Sequence, residues 1–269
     1  MGPEAAILLP AKRVLPGRGV DYGADMAADS ATTASYDSIA DWYDDWLGDG
    51  RNAHGDPFFM PLLDLIGDVA GLRICDLACG QGRVSRALAD LGAQVTGVDA
   101  SAEMLQVGER YRRAVDDDRI QFRQDDAHVL SSCQDAEFDG VICNMAMMDI
   151  PDLTATVRSV FRVLRPGGWF VFSTLHPCFN APRSAEWIDD HGRSHRTVTD
   201  YFTEGFWQSV QRLGPVSKVG AYHRTLTSYL NTMITTGFVL REVQELAAAA
   251  PIWQEVPPVL AMIADKPAA

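Results

Sequence analysis

The chain has 269 residues, of which 47% are hydrophobic and 22% charged, enough for one large or two small domains with a sizeable core. Its 36 acidic and 23 basic residues give a net charge of −13. A chain this acidic repels phosphate backbones and anionic lipid, so nucleic acid is excluded as the main partner and so is electrostatic docking on a membrane. No apolar run approaches the roughly 18 residues that a membrane span needs.

The five cysteines are odd in number and form no C-x-x-C pair, which argues against a disulfide framework and against a zinc ribbon. No cysteine or acidic pair accompanies His191 and His195 at a distance suited to metal binding, so no metal site is predicted. The apolar stretch at residues 5–11 is too short for a signal peptide and follows no basic region. Reduced cysteines without an export signal predict a cytoplasmic protein.

The chain begins with a segment, residues 1–34, that shows no sustained hydrophobic period. We expect a flexible leader there, or an arm that packs on a neighbouring subunit of a homo-oligomer. An amphipathic helix is predicted from residue 35 to residue 47, because Tyr36, Ile39, Tyr43 and Trp46 fall on one helical face.

From residue 60 onward, short apolar strands alternate with helices. The predicted strands are 72–78, 94–99, 120–125, 138–144, 169–173, 238–246 and 258–263. The predicted helices are 82–91, 102–115, 152–164 and 225–235, with Ser101 as the cap of the second. This alternation indicates an α/β fold, Rossmann-like and doubly wound, with a mostly parallel seven-stranded sheet in one domain over 35–269.

Residues 176–218 interrupt this alternation and are predicted to form an irregular, aromatic-rich cap insertion. The aromatic side chains are Phe179, Trp187, Tyr201, Phe202, Phe206 and Trp207. Long connections of this kind are usually functional or disordered, and the aromatic content argues against disorder. The aromatic rings either enclose a flat or apolar small molecule or simply fold the insertion onto the domain.

The strongest signal is the segment Asp76-Leu-Ala-Cys-Gly-Gln-Gly82, which joins the first strand to a helix. The glycines Gly80 and Gly82 allow a tight turn and close approach of a ligand to the main chain. Asp99 ends the second strand, where a carboxylate can accept both hydroxyls of a ribose. Ligands bind at this switch point in open α/β sheets.

The same segment distinguishes between two nucleotide cofactors. A dinucleotide site needs a third glycine, where this chain has Ser85, and a helix N-terminus free for a pyrophosphate. Asp76 would repel pyrophosphate but attract an amino group or a sulfonium. The segment therefore favours S-adenosylmethionine over NAD, while an NAD-type oxidoreductase and a non-catalytic cofactor-binding module stay as alternatives.

From about Tyr36 to Ser173, and more loosely to Ile263, the chain resembles class I S-adenosylmethionine-dependent methyltransferases, in the group with ubiquinone/menaquinone-biosynthesis and small-molecule enzymes. The segment from Asp76 resembles the family's acidic glycine-rich motif, with Ala78 in place of its first glycine. An alanine fits there sterically with a negative φ.

The resemblance implies a set of cofactor-binding residues. Asp99 would hold the ribose, either Asp125 or Asp126 would accept the adenine amino group, and Ala127 would line the ring. Asn144 and Met145 would lie near the methionine moiety, and the helix with Tyr36 and Tyr43 would close over the cofactor. The implied set is Tyr36, Tyr43, Asp76, Ala78, Gly80, Gly82, Asp99, Ala100, Met104, Asp125, Asp126, Ala127, Asn144 and Met145.

Methyl transfer from a sulfonium is an in-line displacement, so the protein mainly aligns the reactants and excludes water. His176, after the fifth strand, is predicted as the base for a hydroxyl acceptor, or alternatively as a histidine that orders the Pro177 turn. His223 and Arg224 are the other catalytic candidates, although Arg224 could instead pair with an acidic residue of the cap. O-methylation of a small aromatic or hydrophobic specialised metabolite is preferred, with N- and C-methylation open.

Overall fold

The computed structural model describes residues 34–48, 53–116, 118–208, 214–249 and 252–268. The predicted leader or oligomer arm, 1–34, lies outside these residues except for Ala34 and stays a prediction. The described strands are β1 (Arg73–Leu77), β2 (Gln94–Asp99), β3 (Ile120–Gln124), β4 (Phe138–Cys143), β5 (Leu164–Leu175), β6 (Ala185–Ile188), β7 (Ser194–Thr197), β8 (Gly205–Trp207), β9 (Ala221–His223), β10 (Val239–Leu246) and β11 (Val259–Asp265).

Eight α-helices lie among these residues. They are α1 (Ala40–Leu47), α2 (Met60–Ile66), α3 (Arg83–Asp90), α4 (Ala102–Arg110), α5 (Leu153–Val163), α6 (Val216–Val219), α7 (Leu226–Thr236) and α8 (Ile252–Glu255). Two 3-10 helical turns, 37–39 and 114–116, precede α1 and follow α4.

Seven strands form one sheet in the order β10-β11-β5-β4-β1-β2-β3. β11 is antiparallel to both of its neighbours, and the pairs β5–β4, β4–β1, β1–β2 and β2–β3 are parallel. The predicted Rossmann-like, mostly parallel, seven-stranded fold is therefore confirmed. Because the chain runs from β1 outward to β3 and then returns to β4, the carboxyl ends of β1 and β4 flank the switch point of the sheet.

The core lies on both faces of the sheet and follows the two-residue period of a strand. In β5, Phe170 and Phe172 contact the cluster under α5 and α7, while Trp169 and Val171 contact the cluster under α2 and α3. A strand that is buried on both faces has a continuous run of apolar residues, and this is why such strands could be predicted from the sequence.

Helix boundaries follow from local side-chain hydrogen bonds. Ser101 caps α4, as predicted, because its hydroxyl accepts the Met104 N–H at 3.0 Å. The predicted helix 102–115 is too long, since the Asp116 carboxylate accepts the Arg113 N–H at 2.8 Å and holds a separate 3-10 turn.

One helix was missed by the sequence analysis, and one strand is longer than predicted. The helix α2 was not predicted, because its seven residues are too few to show a clear period. The fifth strand runs from residue 164 to residue 175 rather than from 169 to 173, since its first residues continue directly from α5.

The insertion 176–218 is more regular than predicted. The strands β6 and β7 form an antiparallel hairpin, and β8 pairs with β9 outside the insertion. Trp207 is buried, whereas Phe202 is 87% exposed. Some of the aromatic side chains therefore fold the insertion onto the domain, as one of the two interpretations expected.

Candidate active site

The turn between β1 and α3 uses left-handed backbone at three positions. Ala78 has a φ of 53°, Gly80 of 54° and Gly82 of 75°. The expectation of a negative φ at Ala78 is therefore wrong, and the left-handed conformation costs an alanine about 1–2 kcal/mol. A Cβ on Gly82 would lie 2.4 Å from the Phe122 ring, so this position requires glycine.

Asp99 is joined to this turn by hydrogen bonds to the main chain. Its Oδ2 accepts the Gly80 N–H and its Oδ1 accepts the Ser101 N–H, each at 2.8 Å. Burial raises the pKa of Asp99 above its usual value. Each carboxylate oxygen has further acceptor capacity, which a ligand with two neighbouring hydroxyls could use.

Asp76 is a buried carboxyl group at the base of the same turn and is 2% exposed. The hydroxyl of Ser85 donates to its Oδ2 at 2.6 Å. Burial raises the pKa of Asp76 to about 7. Ser85 therefore holds this carboxyl group in place, at the position where a dinucleotide site has its third glycine.

The structure distinguishes between the two candidate adenine-binding carboxylates. Asp125 accepts the Ser131 hydroxyl at 3.0 Å and the Ser132 N–H at 2.6 Å, so both of its oxygens are engaged. The Nε2 of His128 accepts the Asp152 N–H, which leaves the His128 Nδ1–H to donate to Asp126 Oδ1 at 3.0 Å. Asp126 Oδ2 has no partner among the described residues.

The segment after β4 is held by hydrogen bonds to Ser173 on the neighbouring strand β5. The Ser173 hydroxyl donates to Asn144 Oδ1 and accepts the Met145 N–H, each at 2.9 Å. Met145 also has left-handed backbone, with a φ of 54°. These bonds fix two predicted residues at the switch point.

The two predicted tyrosines contact this segment through a residue that the sequence reasoning missed. The rings of Tyr36 and Tyr43 meet edge to face with centroids 5.3 Å apart. The Tyr36 hydroxyl donates to Asp149 Oδ2 at 3.1 Å. Burial raises the pKa of Asp149 to about 7. Its position just after β4 was the one available signal, because carboxyl ends of parallel strands carry ligand sites.

One cavity brings nearly all of the predicted cofactor residues together. It is lined by every predicted residue except Gly82. The lining residues that were not predicted include Ser35, Leu47, Ala53, Asp56, Gln81, Arg83 and Asp149. Among the described residues of 176–218, none lines this cavity.

His176 lies outside the cavity, which disagrees with its predicted role as a base. The ring is 1% exposed. Its Nδ1 accepts the Cys178 N–H at 3.2 Å, so its Nε2–H donates to Glu245 at 2.8 Å. With both ring nitrogens engaged, His176 orders the turn at Pro177 and joins it to β10, as the alternative interpretation held.

The other two catalytic candidates also have structural partners. The His223 Nε2–H donates to the Tyr201 carbonyl oxygen at 2.7 Å. Arg224 donates to the carbonyl oxygens of Met147 at 3.0 Å and Pro151 at 2.7 Å, and also to Ile150. Both residues line a separate small cavity, so their predicted direct role in catalysis is not supported by the geometry.

The described residues offer neither a membrane-spanning helix nor a metal site. Within those ranges, every helix is too short or too polar to cross a lipid bilayer. The same residues contain no group of three or more His, Cys, Asp or Glu side chains placed to hold a metal ion. All five cysteines are free thiols.

Comparison with known proteins gives the family. A family model described as a methyltransferase domain matches residues 75–172. An S-adenosylmethionine-dependent methyltransferase structure from Mesorhizobium loti is 30% identical, with a TM-score of 0.70, over 80% of this chain and 100% of that one.

Curated relatives match over a shorter range. The ubiquinone biosynthesis O-methyltransferase of Albidiferax ferrireducens is 32% identical over 130 residues, 48% of this chain and 52% of the relative. The protein of the same name from Xanthomonas oryzae pv. oryzae is 37% identical over 109 residues, 40% of this chain and 45% of the relative. The chain thus spans about half the length of these curated relatives.

The parallel sheet, the glycine turn at its switch point and Asp99 on the neighbouring strand define a nucleotide-binding α/β protein. The chain belongs to the class I S-adenosylmethionine-dependent methyltransferases. The cofactor of this family is S-adenosylmethionine, and the residues present fit it. A Cβ added at Gly80 would lie 3.1 Å from the Met104 side chain, so glycine keeps the main chain of the turn accessible. Asp126 lines the cavity and has one carboxylate oxygen without a partner among the described residues.

Proposed function

We propose that this protein transfers the methyl group of S-adenosylmethionine to a hydroxyl oxygen of a small aromatic or hydrophobic acceptor. The observation that carries the proposal is the single cavity that joins the turn after β1, the ends of β2 and β3, the segment after β4 and the two tyrosines. A cofactor and an acceptor can therefore share one space in this cavity.

The cofactor would be held by the residues at the switch point. Asp99 would accept the ribose hydroxyls, Asp126 would accept the adenine amino group, and Asn144 and Met145 would lie against the methionine moiety. When bound, the cofactor supplies a methyl group on a cationic sulfur. The carboxyl groups around the cavity favour such a cation over a pyrophosphate.

The acceptor would lie between the tyrosines and the glycine turn. Tyr36, Tyr43, Leu47, Ala53 and Val84 give this part of the cavity aromatic and aliphatic walls, which suit a flat or apolar molecule. The curated relatives are named O-methyltransferases of ubiquinone biosynthesis, which supports oxygen as the methylated atom.

Calorimetric titration with S-adenosylhomocysteine, beside NADH on the same preparation, tests the cofactor assignment. We expect micromolar binding of the former alone. Asp99→Ala should weaken it about 10- to 100-fold, because hydrogen bonds to a charged group contribute about 1.5–3 kcal/mol. The matched control is Asp64→Ala, an exposed aspartate on α2. Binding of NADH alone, or an unchanged affinity in Asp99→Ala, would contradict the proposal.

A further inference from the structure

We propose that Asp149 accepts the proton of the acceptor hydroxyl and that Tyr36 positions the Asp149 carboxylate for this role. This inference rests on the proposed function and assigns its proton-accepting residue. It also requires an acceptor that presents an O–H donor and disfavours an anionic one, because the cavity already holds several acidic groups.

The geometry leaves one carboxylate oxygen of Asp149 available. Its Oδ2 accepts the Tyr36 hydroxyl at 3.1 Å. Its Oδ1 has no hydrogen-bond partner among the described residues. Asp149 lines the cavity together with Tyr43 and Met145. An acceptor hydroxyl there would meet an unengaged acceptor oxygen.

The turn that carries Asp149 is fixed by hydrogen bonds to its main chain. The Asp149 N–H donates to the Ala146 carbonyl oxygen at 2.8 Å. The buried guanidinium of Arg224 binds carbonyl oxygens on both sides of Asp149, at Met147 and at Ile150 and Pro151. Arg224, predicted as catalytic, is thus a positioning residue for the turn.

The groups that face Asp149 come from several elements. Burial is the largest cause that raises its pKa, and the charge of Asp99 also raises it, while the Tyr36 hydroxyl and Arg224 lower it. The Tyr43 hydroxyl and the Cys143 thiol lie within electrostatic range as well. The resulting pKa of about 7 suits a general base at neutral pH.

The proposed step balances without a further reactant. A lone pair of the acceptor oxygen forms the new bond to the methyl carbon, and the electron pair of the broken carbon–sulfur bond stays on sulfur. The O–H bond of the acceptor breaks, and its proton passes to Asp149 Oδ1. The products are a methyl ether, a neutral thioether and a protonated Asp149, which then releases the proton to solvent.

The test compares the wild type with Asp149→Asn, using catechol as the probe acceptor and S-adenosylmethionine as donor. We expect kcat to fall at least 100-fold in the variant, the usual contribution of a general base. The wild-type kcat should rise between pH 6 and 8, and the variant's should not. The affinity for S-adenosylhomocysteine should stay within about twofold. Asp45→Asn, on the exposed face of α1, is the matched control.

Tyr36→Phe separates positioning from a merely structural role. Since the Tyr36 hydroxyl lowers the pKa of Asp149, its loss should move the acid limb of the pH profile to higher pH. Carboxyl NMR of the ligand-free protein, labelled with 13C at aspartate, gives a readout without catalysis. We expect two resonances that titrate near neutral pH, one from Asp76 and one from Asp149, and Asp149→Asn should remove one of them.

The outcomes are distinguishable. Failure of S-adenosylhomocysteine to bind the wild type would overturn the proposed function itself. Intact binding with wild-type rate and pH profile in Asp149→Asn would overturn only the assignment of Asp149. Intact binding without methylation of catechol would contradict the neutral hydroxylated acceptor. If Asp149→Asn removes no resonance that titrates near neutral pH, Asp149 is not the base.

Discussion

Asp76 makes the stability of the ligand-free protein depend on pH. Its pKa is about 7 in the fold, against an ordinary value of 3.8, so the folded protein keeps this proton after the unfolded chain has lost it. The free energy of unfolding should therefore fall as pH rises from about 4 to about 7 and level off above, by at most about 4 kcal/mol. Asp76→Asn should remove this contribution, as urea unfolding at pH 5 and pH 8 would measure.

The control for this prediction is Asp64→Asn on the exposed side of α2. It should keep the wild-type difference between the two pH values. Asp99 and Asp149 have raised pKa values too, so the slope should shrink in Asp76→Asn rather than vanish. An identical slope in wild type and Asp76→Asn would show that Asp76 ionises normally in the fold.

Ala78 is a second residue whose local cost can be measured. Because its φ is 53°, Ala78→Gly should relieve the left-handed strain and stabilise the protein by about 1 kcal/mol. Ala155→Gly in the helix α5 should instead destabilise by about 1 kcal/mol. Thermal unfolding of both variants checks the prediction, which fails if Ala78→Gly loses stability as Ala155→Gly does.

The side chain of Asp44 joins α1 to the rest of the domain, beside the ion pair between Asp41 and Arg110. The Asp44 carboxylate accepts the Gln81 amide at 3.0 Å and the Tyr111 hydroxyl at 2.8 Å. Gln81 is 2% exposed and its Oε1 has no partner among the described residues. Asp44→Ala would leave this buried amide without its described partner, at a cost of about 1–3 kcal/mol.

Amide hydrogen exchange measures this attachment directly. In Asp44→Ala, residues 40–47 should exchange faster than in the wild type, while the strands of the sheet should keep their protection. Asp45→Ala, one residue further on the exposed face, should leave exchange unchanged. Equal protection of α1 in all three proteins would mean that the other contacts of the helix hold it without Asp44.

Binding of the cofactor should raise the free energy of unfolding of the whole protein. A ligand at 100 times its dissociation constant adds about 2.7 kcal/mol, which corresponds to roughly 5–10 °C in Tm for a chain of this size. We expect this shift with S-adenosylhomocysteine and none with NADH. Asp99→Ala should lose most of the shift at the same ligand concentration, and a full shift in that variant would argue against its role in binding.

The elements whose partners are close in sequence were predictable, and those with distant partners were not. Gly80 and Asp99 could be paired because strand, turn, helix and strand follow one another within 19 residues. The Tyr36–Asp149 bond joins residues 113 apart, and the contact of Arg224 with Met147 spans 77. His176 was misassigned for the same reason, since its partner Glu245 lies 69 residues away. No local pattern encodes such contacts.

The position of β11 in the sheet has a consequence for biosynthesis. Among the described strands β11 comes last in chain order, yet in the sheet it lies between β5 and β10 and pairs with both. During synthesis, the edge of β5 that pairs with β11 in the finished sheet is therefore open until residue 265 has left the ribosome. Over the same period β10 has no strand to pair with. Open strand edges associate with other chains. A nascent chain stalled before residue 259 should thus depend on a chaperone that the finished protein does not need.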